Sequence, residues 1–251
     1  YRMDAFYVSA FGEPYQALKE ATECAHINAM LDSDGILRHH LLFVRLPDGE
    51  EVDSMALAVA NRYRRSRGET AVLEPPTDRW GFWYLPYCGE PEDFYAVSMV
   101  DVLEGEVPAE YFDDKIVLIG PWAAGLQDAY FTAIDHARQM YGAEYQANAV
   151  QVLLWEDYKR EVGDGVQLAI LAMILLLAAM VFQRRSLRFS TIFWIVLGGG
   201  FVLSCIGLYR AGWVLHVSWV PVGVTILYAG GIVLHYVRAA RERQAVTNTF
   251  K

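Results

Sequence analysis

Between residues 166 and 237 the chain runs through three apolar segments, 166–182, 190–209 and 214–237, with almost nothing between them. The hydrocarbon core of a bilayer is about 30 Å thick and needs ~20 apolar residues per helical crossing. Each segment comes close to that length, so the three read as transmembrane helices rather than as buried helices of a soluble core. Residues 1–165 must then fold in water as a separate domain.

The polar breaks give the direction, because short loops rich in Lys and Arg stay in the cytoplasm. The 183–188 loop carries Arg184, Arg185 and Arg188, and the tail carries Arg238, Arg241, Arg243 and Lys251, whereas the 209–213 turn has only Arg210. This places the 183–188 loop and the C-terminus inside and residues 1–165 outside. Trp194, Trp213, Trp219, Tyr209 and Tyr236 fall near span ends, where amphipathic rings settle at headgroup level. Besides the loop arginines, His216 and His235 near span ends are the only strongly polar titratable side chains in the stretch. Ion and proton pathways need buried ionisable groups, so a transporter or channel is a weak reading.

A net charge of −9 conceals two regions of opposite sign. Up to Gly165 there are 13 basic against 29 acidic residues; beyond it there are 8 against 1, Glu242. An acidic outer region argues against nucleic acid as its partner. About 165 residues suit one compact α/β domain with its own core.

Cys24 and Cys88 lie in the outer region, an oxidising compartment, and Cys205 lies inside a span. Cys24 and Cys88 are a candidate disulfide, decided by a Cα separation that the sequence does not supply. No haem-attachment or metal-type Cys/His spacing occurs, and no cofactor is implied. Tyr1-Arg2-Met3 opens the chain without initiator Met or signal peptide. An outer domain needs a way across the membrane, so at least one further membrane helix is expected before Tyr1.

Local patterns outline the outer domain. Residues 13–25 have helical spacing, with Tyr15, Leu18, Ala21 and Thr22 as a mild apolar stripe. Leu31-Asp32-Ser33-Asp34-Gly35 is a turn signal, and the β-branched and apolar run 36–46 predicts a strand. Pro47-Asp48-Gly49 predicts a hairpin turn. Residues 52–63 predict a helix with Met55, Ala56, Val59 and Ala60 on one face, capped by Asp53 or Ser54. Its basic end, Arg62, Arg64, Arg65 and Arg67, suits the negative helix terminus, and lipid headgroups are the alternative partner. Trp80, Phe82, Trp83, Tyr84 and Tyr87 either bury one strand face or line a ligand pocket. Residues 98–103 predict a short helix ended by Gly105, and Lys115-Ile116-Val117-Leu118-Ile119-Gly120 predicts a strand buried on both faces. A last helix, 146–154, precedes the membrane.

Two motifs fail on chemistry. Gly120-x-x-x-x-Gly125 resembles a phosphate loop, but Leu126 and Gln127 stand where Lys and Ser/Thr must meet phosphate and magnesium. Asp32-x-Asp34-Gly35 resembles a calcium loop, but Met30 and Leu41 occupy the positions of its first and last carboxylates. An Asx-type turn is the better account.

Six stretches in order carry a resemblance: Leu31-Asp32-Ser33-Asp34-Gly35-Ile36-Leu37-Arg38; Tyr87-Cys88-Gly89; 97–108; Phe112-Asp113-Asp114 with Lys115 to Gly120; Ala124 to Asp128; and Ala147-Asn148-Ala149-Val150-Gln151-Val152-Leu153-Leu154. Together they resemble the type-2 CHASE domain, a bacterial extracytoplasmic sensor followed by three transmembrane helices. The chain has Thr132-Ala133 where that family usually has Thr-Pro, and Gln146 where it usually has His. Its segment 82–86 is also more aromatic.

The resemblance implies an α/β extracytoplasmic sensor domain (1–165), an all-α membrane region of three helices (166–237) and a helical junction (238–251). The implied setting is a bacterial inner membrane, and the implied output is cytoplasmic: a class III adenylate or guanylate cyclase, a kinase or a diguanylate cyclase. The tail is similar to the junction preceding a cyclase, and no catalytic residue lies in this chain. Asp128, Asp101 and Asn148, polar members of the motifs, are the candidate sensing residues together with Trp83 and Tyr87, and Lys115 is a further polar member of the motifs. A cap or turn hydrogen bond is the local alternative for each polar one. Gly198, Gly199, Gly200, Gly230 and Gly231 are candidate helix-packing positions, since small residues let helices approach closely. The expected partners are the lipid bilayer and a second copy of the chain, with an accessory subunit of a larger membrane complex as the alternative function.

Overall fold

A computed structural model describes residues 12, 14–46, 49–123, 125, 126 and 128–249. It divides into two compact units, Tyr1–Lys159 and Arg160–Lys251.

In the outer unit, the first helix, α1, covers only Gln16–Ala21 and buries none of its residues. The 13–25 stripe therefore has nothing to pack against; Tyr15 is 72% exposed, Thr22 turns extended, and Glu13 lies outside the described residues. The expected 36–46 strand is three short ones: β1 (Ile36–Leu37), β2 (His39–Leu41) and β3 (Phe43–Arg45). Each finds a different partner. β1 pairs in parallel with β6 (Ala129–Thr132), β2 antiparallel with β5 (Phe82–Tyr84), and β3 antiparallel with β4 (Glu51–Asp53). β6 also pairs antiparallel with β7 (Met140–Tyr141). The breaks fall where the backbone is claimed from outside: Leu42 donates to the Gly81 carbonyl and accepts from the Ser54 N–H.

The β3–β4 hairpin closes through Leu46 N–H to the Glu50 carbonyl at 2.8 Å. Its Pro47 and Asp48 lie outside the described residues. Ser54 caps α2 (Met55–Ser66) by accepting from the Leu57 N–H at 3.2 Å. The helix buries Ala56, Leu57 and Ala60 against α4 (Gly142–Trp155), so Leu57 rather than Met55 carries the buried face. Leu37, Leu42, Trp83, Leu85, Met140, Tyr145 and Leu153 fill the space between these elements. Each large apolar side chain buried this way contributes about 1.5–3 kcal/mol. The basic end of α2 is held by protein groups: Arg64 pairs with Glu156 at 2.7 Å and Arg62 with Glu23 at 2.8 Å.

The expected 98–103 helix is α3 (Met99–Leu103), with Ser98 as its cap. The segment 115–120 departs from expectation. It forms no strand among the described residues, and Val117 and Ile119 are 50% and 80% exposed. Asp114 in a left-handed turn (φ 54°) and Lys115 N–H bonded back to the Phe112 carbonyl fold its start onto itself. Only Ile116 reaches the core.

The membrane unit holds three long helices: α5 (Asp164–Arg184), α6 (Leu187–Arg210) and α7 (Trp219–Thr249). All three contain stretches long and apolar enough to cross a bilayer. The third starts at Trp219 rather than near 214, because Trp213–Val214 (β9) is taken up in parallel pairing with Arg160–Glu161 (β8). Both α5 and α6 pack on α7, around Ala178, Phe182, Val220 and Val224. Trp194 stacks on Tyr228 and donates to Thr225 at 3.0 Å.

Candidate functional site

Polar side chains gather at the start of α4. A Cβ at Gly142 would collide with the Asp128 carboxylate, which lies against this helix start and accepts from the Tyr130 hydroxyl at 3.0 Å. A carboxylate there is favoured by the helix dipole, by about 0.3–1 kcal/mol. Two residues on, Glu144 accepts from the N–H groups of Tyr141 and Glu92. A further turn on, Asn148 is fully buried, and its Oδ1 accepts from the N–H groups of Cys88 and Gly89, both at 2.9 Å. Its Nδ2 donates to the Glu144 carbonyl and the Met140 sulfur. Glu144 and Asn148 thus fasten the 88–92 loop to α4, using side chains four residues apart on one helical face.

Of the residues singled out by sequence, Asp128 lies at the start of α4 and Asn148 six residues beyond Gly142 on the same helix, and Asn148 holds Cys88. Asp101 stays apart in α3, where its backbone carbonyl accepts from the Glu106 N–H. Lys115 also stays local, its Nζ donating to the Tyr111 carbonyl and lying over the Tyr111 ring. Trp83 is 1% exposed and edge-on to His40 and Tyr158. The Tyr87 hydroxyl donates to the Leu37 carbonyl at 2.9 Å, and burial pushes its pKa up. Both aromatic rings belong to the packed core.

The candidate Cys24–Cys88 pair is unbonded. Both cysteines are free, and the Cys88 thiol meets Asn148 Oδ1 at 3.3 Å instead. Burial raises the Cys88 pKa, which keeps it a thiol near neutral pH.

The motif Asp32-Ser33-Asp34-Gly35 is an Asx-type turn, with Ile36 N–H on Asp34 Oδ1 at 3.2 Å and Gly35 at φ +80°. Arg38 bridges both carboxylates, at 2.8 Å from Asp32 and 2.7 Å from Asp34. Its hydrogen bonds hold Asp34 down to about 2. Burial pushes Asp32 up, but hydrogen bonds from His39 and Arg38 outweigh it and leave the carboxyl below its ordinary value.

Sequence reasoning missed the histidines. Successive strand residues point to opposite faces, so His39 turns to Asp32 at 3.0 Å while His40 turns inward, fully buried between Trp83 and Tyr145. His26, 5% exposed, reaches the same core through a bridge to Ser54. Burial lowers His26 to about 4, and burial together with the charge of His26 lowers His40 to about 3. A polar pair within an otherwise apolar strand run was the available signal.

In the membrane unit, Gln167 near the start of α5 accepts from the His216 N–H at 2.7 Å and donates to the Val162 carbonyl at 2.6 Å. With the β8–β9 pairing, it ties the segment entering α5 to the turn between α6 and α7. The candidate glycines are mostly open: a Cβ at Gly199, Gly200 or Gly230 would meet nothing within 4 Å, and one at Gly231 would touch Phe182 at 3.5 Å. The tight position is Gly223, 3.0 Å from Leu175.

A mixed α/β domain leading into three apolar, membrane-length helices defines the class: an outer domain on a membrane stem. The model of the CHASE2 domain family matches residues 4–182, and the chain belongs to that family. The match runs through the outer unit and nearly all of α5. CHASE2 is a sensory extracellular domain, which makes this a membrane protein with a sensory, extracytoplasmic region. No curated protein and no solved structure matches the chain.

Proposed function

We propose that the chain is the sensing and membrane-spanning part of a bacterial signalling receptor, whose outer domain biases the packing of α5, α6 and α7 and thereby a cytoplasmic output. The observation that carries this reading is α7, one helix of 31 residues that continues from the third span through the basic stretch to Thr249. An unbroken helix conveys rotation or translation along its axis, and such devices work by biasing two arrangements of packed elements. Gln167 and the β8–β9 pairing give α5 and the α6–α7 turn a common attachment, so a displacement at Arg160 reaches both.

The C-terminus is cytoplasmic in this reading, in an inner membrane, and the preferred output is a class III adenylate or guanylate cyclase working as a homodimer. Asp128 and Asn148 are the sensing residues, Asn148 acting by holding or releasing the 88–92 loop and Asp128 at the start of the same helix. Reading the gene onward from Lys251 and assaying cyclic-nucleotide formation in membranes tests the assignment. A cyclase whose turnover changes when Asn148→Leu loosens the loop supports it, and a gene without an output domain overturns it. The accessory-subunit reading, favoured by exposed Tyr95 (97%) and Leu103 (75%), would then lead.

A further inference from the structure

Buried polar atoms in native proteins are almost always hydrogen-bonded, and each exception calls for an explanation. Four exceptions lie around β2 and its neighbours among the described residues: both ring nitrogens of His40, Nε2 of His26 and Nε1 of Trp83. His40 has no exposure, and its ring lies 5.7 Å from Trp83 and 5.2 Å from Tyr145, centroid to centroid. The two imidazoles are near enough to feel each other's charge.

The groups facing them offer no counter-ion. From β5 come Trp83 and Tyr84; from α4 comes Tyr145, whose hydroxyl donates to the His39 carbonyl at 3.4 Å and whose pKa burial raises. Tyr158 packs on the far side of Trp83. On β2 itself, His39 turns away to Asp32, which Arg38 also engages. Near His26, the Asp53 carbonyl takes the backbone N–H, and the Asp53 carboxyl is raised by burial and Glu51. Asn28 N–H bonds His26 Nδ1 at 3.3 Å, which fits the neutral ring as acceptor. A protonated imidazole donates from both nitrogens, and neither ring has an acceptor for the added N–H.

We propose that protons are a stimulus of this sensory domain: His26 and His40 take up protons as the extracytoplasmic medium acidifies, and do so only as β2 opens from the core to give them water. This rests on the outer domain being a sensor and names what it senses. The geometry gives the sign. Both rings are neutral when the domain is closed and ordinary when it is open, so closure is fully favoured above about pH 6.5 and weakens as pH falls. Between pH 5.5 and 4.5 the closed-to-open ratio drops by about tenfold for each histidine and about a hundredfold for both. The carboxylates of Asp32 and Asp34 are held below their ordinary values and act at lower pH.

The test uses the full chain in lipid nanodiscs, with ring-labelled histidine followed by NMR and backbone exchange followed by mass spectrometry from pH 7.5 to 4. A free histidine peptide in the same buffer serves as the reference, with its midpoint near the ordinary value of about 6.5. The expected result is that His26 and His40 stay neutral well below the midpoint of the free peptide and gain protons only as residues 39–42 lose protection. His40→Phe should cut the pH slope from about a hundredfold to about tenfold per unit. Titration of both rings alongside the free peptide with β2 still protected overturns the proposal, and so does a β2 that stays closed down to pH 4. An acid opening that is unchanged in both His40→Phe and His26→Asn also overturns it while leaving the receptor reading intact. That reading fails separately, through an output that ignores the outer domain.

Discussion

The two units place their large apolar side chains differently. In the outer unit the largest apolar side chains turn inward, with Trp83 at 1% and Leu153 at 0% exposure, while in the membrane unit Leu203 and Ile226 stand outward at 70% and 66%. The same apolar preference produces both, since water surrounds one unit and hydrocarbon the other. Polar groups divide as well. The outer core hides His40, Glu144 and Asn148, whereas among the described residues of α5 to α7 the buried polar groups are Gln167 and Ser190, both close to helix starts. Stability in the outer unit should therefore depend on a few buried side chains, and in the membrane unit on close helix contacts.

Trp83→Ala is the sharpest way to separate the units. It should cost about 3–5 kcal/mol, unfolding the outer domain by hydrogen exchange while the apolar spans 168–184, 187–210 and 219–237 keep their protection. Asn148→Leu comes next: the Cys88 and Gly89 N–H groups lose their acceptor, for about 2–3 kcal/mol. Its signature is raised exchange at 88–92 before the rest of the domain. In the membrane unit, Gly223→Leu should overpack against Leu175 by about 1–3 kcal/mol, seen as a lower melting temperature in detergent. Ser54→Ala should cost about 1 kcal/mol through loss of the α2 cap, read from denaturant unfolding. Smallest is Gly199→Leu, within about 0.5 kcal/mol for the single chain. A large loss of dimer cross-linking in that variant would place Gly199 between two copies.

Legibility followed the range of the forces involved. The apolar runs and α2 are local patterns and read directly, with Asp53 and Ser54 left as alternative caps, of which Ser54 serves. The break of 36–46 into β1, β2 and β3 is not local: it depends on Gly81 and Ser54 claiming the Leu42 backbone, and on Arg38 turning to Asp32 and Asp34. Segment 115–120 failed for the converse reason, because apolar content sets what a strand would bury and not whether another strand lies beside it. At the site, Asp128 and Asn148 stood out as polar members of motifs. Their relation did not, since the missing Cβ of Gly142 and the 88–92 backbone complete it. His40 was hidden by strand alternation, which tells which face a residue takes and not which face is the core.

The most direct test is hydrogen exchange on the full chain in nanodiscs, comparing wild type with Asn148→Leu at one pH. Loosening the 88–92 loop should also change protection, severalfold, at 160–167, 213–216 and along 238–249 of α7. A change confined to residues 12–159 would contradict the account, because the outer domain would then sense without informing the membrane helices.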